Sequence, residues 1–219
     1  MAELTLEITS KCNLNCWWCS ANAGPDGVHC RIDWVLKQLS DNAGKYDTVR
    51  ISGGEPTLHP EIDVIIKFAK EKYKYKTVVL LTNGERYYEH PGIDEYYISC
   101  ADRTDDIAAE KPREETLRDV IGEHGRKKHH VVVTGVLCPL GGTETALRWG
   151  VNGFSPHRPV HLYRLVRQGR ASEANYDISI TGDNGCEANC GNKKTITHDG
   201  KEIPCSCQKE GNNCPVDRS

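Results

Sequence analysis

Alternation of strand-like and helix-like segments over about the first 155 residues constrains this chain more than any other feature. Short apolar runs at 4–9, 48–52, 76–81, 94–100 and 131–136 read as strands bounded by turn residues. Helical spacing fills the gaps between them. Ile32, Val35, Leu36 and Leu39 recur at i, i+3, i+4 and i+7, with Asp33 as N-cap and Gly44 past the end. Ile62, Ile65, Ile66 and Ala69 form a second such face, and Leu117, Val120 and Ile121 a third. A short helical stretch at 143–149 leads to a sixth, weaker strand at 151–155. Strands alternating with helices in this way predict an α/β fold, a parallel sheet with right-handed crossovers.

Ligands of such sheets sit at the carboxyl ends of the strands. Four motifs fall there. CNLNCWWC (12–19) follows the first strand, GGEP (53–56) the second and TNG (82–84) the third, while Ser99 ends the fourth. The pattern therefore gathers them on one rim. After residue 175 the character changes to Gly, Asn, Asp and Cys, with a short extended stretch at 194–198 and a turn at HDGKE. So polar a segment needs a staple.

Eleven cysteines supply candidates. The first residues, MAELTLEIT, carry no basic region followed by an apolar one, so no secretory signal is read and the expected location is cytoplasmic, where thiols stay reduced. Clustering of eight cysteines at 12–19 and 186–214 then points to metal rather than disulfides. A formal net charge of -3 gives no push toward nucleic acid, and no apolar run approaches a membrane span.

Three thiols in eight positions, Cys12, Cys16 and Cys19, are one short of a structural zinc site. Zinc would require a distant fourth ligand such as Cys30 or His29. An iron-sulfur cube held at three corners instead leaves one iron free for a small molecule. The spacing Cys12-x3-Cys16-x2-Cys19, with Trp18 before the last cysteine, resembles the defining motif of the radical SAM superfamily, and GGEP resembles that family's second motif. The resemblance implies a partial (β/α)6 barrel and a [4Fe-4S] cluster with S-adenosylmethionine as its fourth ligand. It also implies an electron donor such as flavodoxin or ferredoxin. Gly53, Gly54, Glu55 and Pro56 would meet the methionine moiety, Trp18 the adenine and Ser99 the ribose. Asn83 would serve the site or merely turn the chain, and Arg113 or Arg118 would reach the carboxylate.

Cys186, Cys190, Cys205, Cys207 and Cys214, with the hairpin in CGNKKTITHDGKEIPCSC, resemble the auxiliary-cluster region called SPASM or Twitch. Five cysteines suit one auxiliary [4Fe-4S] cluster, with Cys207 or Cys214 as fourth ligand; zinc is the alternative. The implied domains are a barrel over 1–170 and an auxiliary region over 171–219. Cys100 and Cys138, at the ends of strands four and five, are candidate hydrogen donors to a substrate radical, or else small buried hydrophobes. The basic run HRPVHLYRLVRQGR (157–170) offers Arg164 and Arg167 as an anion clamp, or a solvated face. His59 is a proton carrier or a helix-start residue. With a strand beginning near residue 4, the expected substrate is a small polar or phosphorylated metabolite, and a peptide is the alternative. A non-catalytic iron-sulfur electron carrier or sensor is the rival from another class.

Overall fold

The computed structural model describes residues 2–100, 107–137, 160–164 and 193–203, with side chains over 2–100, 115–134 and 193–203. Six parallel strands run in chain order across one sheet: β1 (Glu3–Glu7), β2 (Thr48–Ser52), β3 (Thr77–Thr82), β4 (Glu95–Ser99), β5 (His130–Leu137) and β6 (Val160–Arg164). Helices α1 (Ile32–Asn42), α2 (Ile62–Lys67) and α3 (Ile107–Arg126) belong to the crossovers. The result is the parallel α/β architecture of a partial barrel. No helix among the described residues is long and apolar enough to cross a membrane.

Each strand presents alternate residues to opposite faces. Leu4, Leu6, Ile8, Val49, Ile51, Val78, Leu80, Tyr96 and Ile98 pack with Val35, Leu39, Ile65, Ile66, Leu117 and Ile121 of the helices in one buried core. Val79, Tyr97 and Val132 form a separate small cluster on the other, inner face. The helical spacings are recovered, since Val35, Leu39, Ile62, Ile65, Ile66, Ala69, Leu117, Val120 and Ile121 are all buried.

Two expectations change. Arg31, not Asp33, stands at the N-cap of α1; Asp33 lies in the first turn, ion-paired to Arg31 at 3.0 Å. The described sixth strand is Val160–Arg164, pairing with β5 from Val133↔Val160 to Leu137↔Arg164. The helix expected at 143–149 and the strand at 151–155 lie outside the described residues. Alternation of Val160, His161 and Leu162 lies inside a basic run whose charges made the strand look like a solvated face.

The C-terminal stretch also joins the sheet. β7 (Lys193–Ile196) pairs parallel with β1 and turns back through Gly200 (φ 82°) into β8 (Glu202–Ile203). The hairpin read from Asp199-Gly200 is therefore present. Its apolar contact comes from the barrel, because Ile196 is buried in the helix-side core. A sheet edge supplies what so polar a segment lacks.

Candidate functional site

The rim at the carboxyl ends of β1, β2 and β3 brings together the first three motifs. After β1 the chain leaves through Thr9 and Ser10 into the cysteine loop, and the returning segment closes it. Ser10 N–H donates to Val28 O at 2.9 Å, Cys12 N–H to Gly24 O at 2.9 Å, and Cys30 N–H to Ile8 O at 3.0 Å. The GGEP turn then docks on the loop's entrance, with Gly54 N–H on Thr9 O at 2.7 Å and Glu55 N–H on Lys11 O at 2.9 Å. This approach explains the two glycines. A Cβ on Gly53 (φ +135°) would lie 2.3 Å from Thr9 O, and one on Gly54 2.3 Å from Lys11 O.

Glu55 is almost completely buried and ties the second motif to the third. Oε1 accepts from Thr57 N–H (3.1 Å), Thr57 Oγ1 (2.7 Å) and Thr82 Oγ1 (2.9 Å), and Oε2 accepts from Asn83 N–H (2.7 Å). Burial pushes its carboxyl above the usual range, opposed by donation from Asn83, Thr57 and Thr82. Pro56 opens a short 3₁₀ turn behind it. Asn83 does more than turn the chain. Its Oδ1 accepts from Glu85 N–H at 3.0 Å, while Nδ2 donates to Asn13 Oδ1 at 2.8 Å and approaches Cys12 Sγ at 3.8 Å. Thr57, Thr82 and Asn13 carried no distinguishing signal in the sequence. Only the closure of three loops reveals them.

Cys12, Cys16 and Cys19 are partly exposed on this loop and form no disulfide, with Trp17 and Trp18 half-buried beside them. Leu14 N–H points at Cys12 Sγ and Ala23 N–H at Cys19 Sγ, each at 3.4 Å. Burial pushes the Cys12 thiol up and the Leu14 N–H opposes that shift; three thiols gathered on one loop fit an iron-sulfur group with three protein ligands. The two proposed fourth ligands for zinc are otherwise engaged. Cys30 donates to Glu7 O (3.7 Å) and His198 O (3.5 Å), and burial pushes its thiol up to about 11. His29 Nδ1 is 3.0 Å from Thr9 Oγ1.

Ser99 and Cys100 part company. Ser99 ends β4 on the inner face, two residues from Tyr97, and its register partner is Thr134 of β5. Cys100 shares the opposite face with Ile98 and is fully buried in the helix-side core, with its N–H on Thr134 O at 2.7 Å. It occupies the place of a small hydrophobe, turned away from the inner face. His59 likewise resolves. Its Nδ1 accepts from Glu61 N–H at 3.1 Å, so Nε2–H donates to Cys30 O at 2.9 Å, and the ring is buried at the start of α2. Arg113 lies in α3, where Arg118 is exposed, and Arg164 ends β6. Cys138, Cys186, Cys190, Cys205, Cys207, Cys214 and Arg167 lie outside the described residues.

Residues 6–128, more than half of the chain, match the sequence model of the radical SAM superfamily. The chain is 35% identical over 82 residues to a GTP 3′,8-cyclase of Chlorobaculum tepidum, covering 36% of this chain and 24% of that protein. It is 31% identical over 86 residues to an S-adenosylmethionine-dependent nucleotide dehydratase of Selenomonas ruminantium, covering 37% of this chain and 30% of that one. The subtilosin biosynthesis protein AlbA of Bacillus subtilis is 32% identical over 84 residues, covering 36% and 18%. Each match thus spans less than a third of the relative's length. Among solved structures, SuiB of Streptococcus suis bound to its precursor peptide SuiA has a TM-score of 0.61 at 14% identity, over 99% of this chain and 63% of that one. At that identity the likeness is one of fold.

Proposed function

The chain belongs to the radical SAM superfamily and is an enzyme of that class, and from that premise we propose that it abstracts a hydrogen atom from a small polar or phosphorylated metabolite. Cys12, Cys16 and Cys19 would hold the [4Fe-4S] cluster and leave one iron for S-adenosylmethionine. That bound pair supplies the hard chemistry, reductive cleavage to methionine and a 5′-deoxyadenosyl radical. The protein's share is to bind, orient and exclude water. Backbone around Gly53 and Gly54 would receive the methionine moiety, because it is fastened at the entrance of the cysteine loop. Glu55, Pro56 and Asn83 hold that backbone in place. Ser99 on the inner face would meet the ribose, Trp18 would cover the adenine, and Arg113 is the candidate for the carboxylate.

The observation that carries this reading is the direct fastening of GGEP and TNG to the cysteine loop, through Gly54 N–H on Thr9 O and Asn83 Nδ2 on Asn13 Oδ1. Two of the similar proteins have names that refer to nucleotides, which supports a nucleotide-like metabolite. The likeness to AlbA supports the second reading, a peptide substrate. Cys186, Cys190 and Cys205, with Cys207 or Cys214, would hold an auxiliary cluster in a SPASM- or Twitch-like region over 171–219. Its hairpin, β7–β8, lies against β1, the strand that delivers the first cysteine loop.

Incubation with deuterated nucleotides, GTP first, and with deuterated peptides tests the substrate class. Deuterium appearing in 5′-deoxyadenosine from a nucleotide supports the proposal. Label from peptides alone replaces it with the second reading.

A further inference from the structure

On the inner face of the sheet, Glu7 stands at the end of β1, level with Ser52 of β2 in the strand register. It shares this face with Glu3 and Thr5, because Leu4, Leu6 and Ile8 fill the helix side. Glu3 confirms the assignment: it binds Arg50 Nη2 at 3.2 Å, and that guanidinium lies 4.9 Å from the ring of Tyr97, a member of the inner cluster. Glu7 is thus a buried carboxylate two residues before Thr9, whose carbonyl anchors Gly54. Across from it stands His198, 191 positions later, in the turn after β7. Glu7 Oε2 accepts from the His198 backbone N–H at 3.3 Å and lies 3.3 Å from His198 Nδ1. Cys30 Sγ donates to the carbonyls of both residues, fixing their spacing from behind.

A carboxylate beside Nδ1 fixes the imidazole tautomer. It holds the proton on Nδ1 and leaves the Nε2 lone pair bare. Among the described residues His198 Nε2 has no hydrogen-bond partner, and the side chain is 26% exposed while Glu7 is 9% exposed. One member is buried, the other partly exposed.

We propose that Glu7 and His198 form a proton-accepting pair at the carboxyl-end rim of β1 and β7, with Glu7 as positioning residue and His198 as catalytic base. Nε2 takes the proton of a substrate hydroxyl or ammonium group: the O–H or N–H bond breaks, the Nε2–H bond forms, and the imidazolium that results faces the Glu7 carboxylate. The assignment builds on the radical SAM reading of the rim. It adds that the group recognised carries an exchangeable proton, and that the C-terminal hairpin supplies a working residue.

The probe is diethyl pyrocarbonate, which acylates a bare imidazole nitrogen, applied to the reconstituted protein at fixed pH and read by peptide mass spectrometry. In the wild-type protein His198 is acylated about tenfold or more faster than buried His59, whose two nitrogens are both bonded. Glu7→Gln slows acylation of His198 by about threefold or more, because the Nδ1–H partner loses its charge. A merely structural role gives the opposite sign, since release of the hairpin exposes His198 and quickens its reaction. Equal wild-type rates at His198 and His59, or an unchanged or faster rate at His198 in Glu7→Gln, overturns the proposal. Methionine release from S-adenosylmethionine by the wild-type protein tests the underlying reading separately, and acylation does not depend on it.

Discussion

The two faces of one sheet divide the labour of this molecule. On the helix side β1 to β5 present Leu4, Leu6, Val49, Ile51, Val78, Leu80, Tyr96, Ile98, Val131 and Val133, all buried and all apolar. On the inner side the same strands present Glu3, Thr5, Glu7, Arg50, Ser52, Val79, Leu81, Tyr97, Ser99, Val132 and Thr134. Polar residues fill β1 and β2 there, while β3 to β5 contribute the small apolar cluster of Val79, Tyr97 and Val132. A barrel interior built only for stability is packed with branched aliphatics. The contrast teaches that stability is held on one face, leaving the other free to carry charges and hydroxyls.

The sharpest way to break this comparison is at the rim, where both faces end. Gly54→Ala places a Cβ against Lys11 O and separates GGEP from the cysteine loop. Cleavage of S-adenosylmethionine, followed as methionine release, should fall by about a hundredfold or more, while the apolar helix-side core keeps the fold. Activity within a fewfold of wild type would show that the close approach is incidental. Next in size is a stability contrast between neighbours on opposite faces. Leu6→Ala should cost about 2–5 kcal/mol in urea unfolding, and Thr5→Ala under about 1 kcal/mol. Similar costs at both positions would erase the division. The smallest effect concerns Cys30. With its thiol pushed up to about 11, thiolate is scarce at pH 8, and iodoacetamide should label it roughly a hundredfold more slowly than an ordinary free thiol, the rate climbing as pH nears that value. Rapid labelling at pH 8 would show that the contact among β1, Cys30 and the hairpin opens readily.

Much of the helix-side face was legible in the sequence, because burial there follows period and run length. Strands at 48–52 and 131–136 and the helix faces around Val35, Ile65 and Leu117 needed only apolar spacing. The rim was legible as well, since GGEP, TNG and the cysteine loop each follow a strand. Two kinds of information were hidden. The first is facing within a strand buried on both sides: Tyr96, Tyr97 and Ile98 form an unbroken apolar run, so nothing local says that Ser99 turns inward and Cys100 outward. The second is long-range pairing. Glu7 and His198 meet only because β7 aligns beside β1, and Glu55 meets Asn83 only because β2 and β3 are neighbours. The strand at Val160–Arg164 was obscured differently, its alternation enclosed by arginines and histidines that suggest a solvated surface.

Anaerobic reconstitution followed by dithionite and S-adenosylmethionine examines the three-thiolate rim most directly. Wild-type protein should bind iron and sulfide and release methionine with 5′-deoxyadenosine, and Cys16→Ser should lose methionine release while keeping the helical circular dichroism of the wild type. Methionine release that survives Cys16→Ser, or wild-type protein that takes up iron yet leaves S-adenosylmethionine intact, would contradict the account.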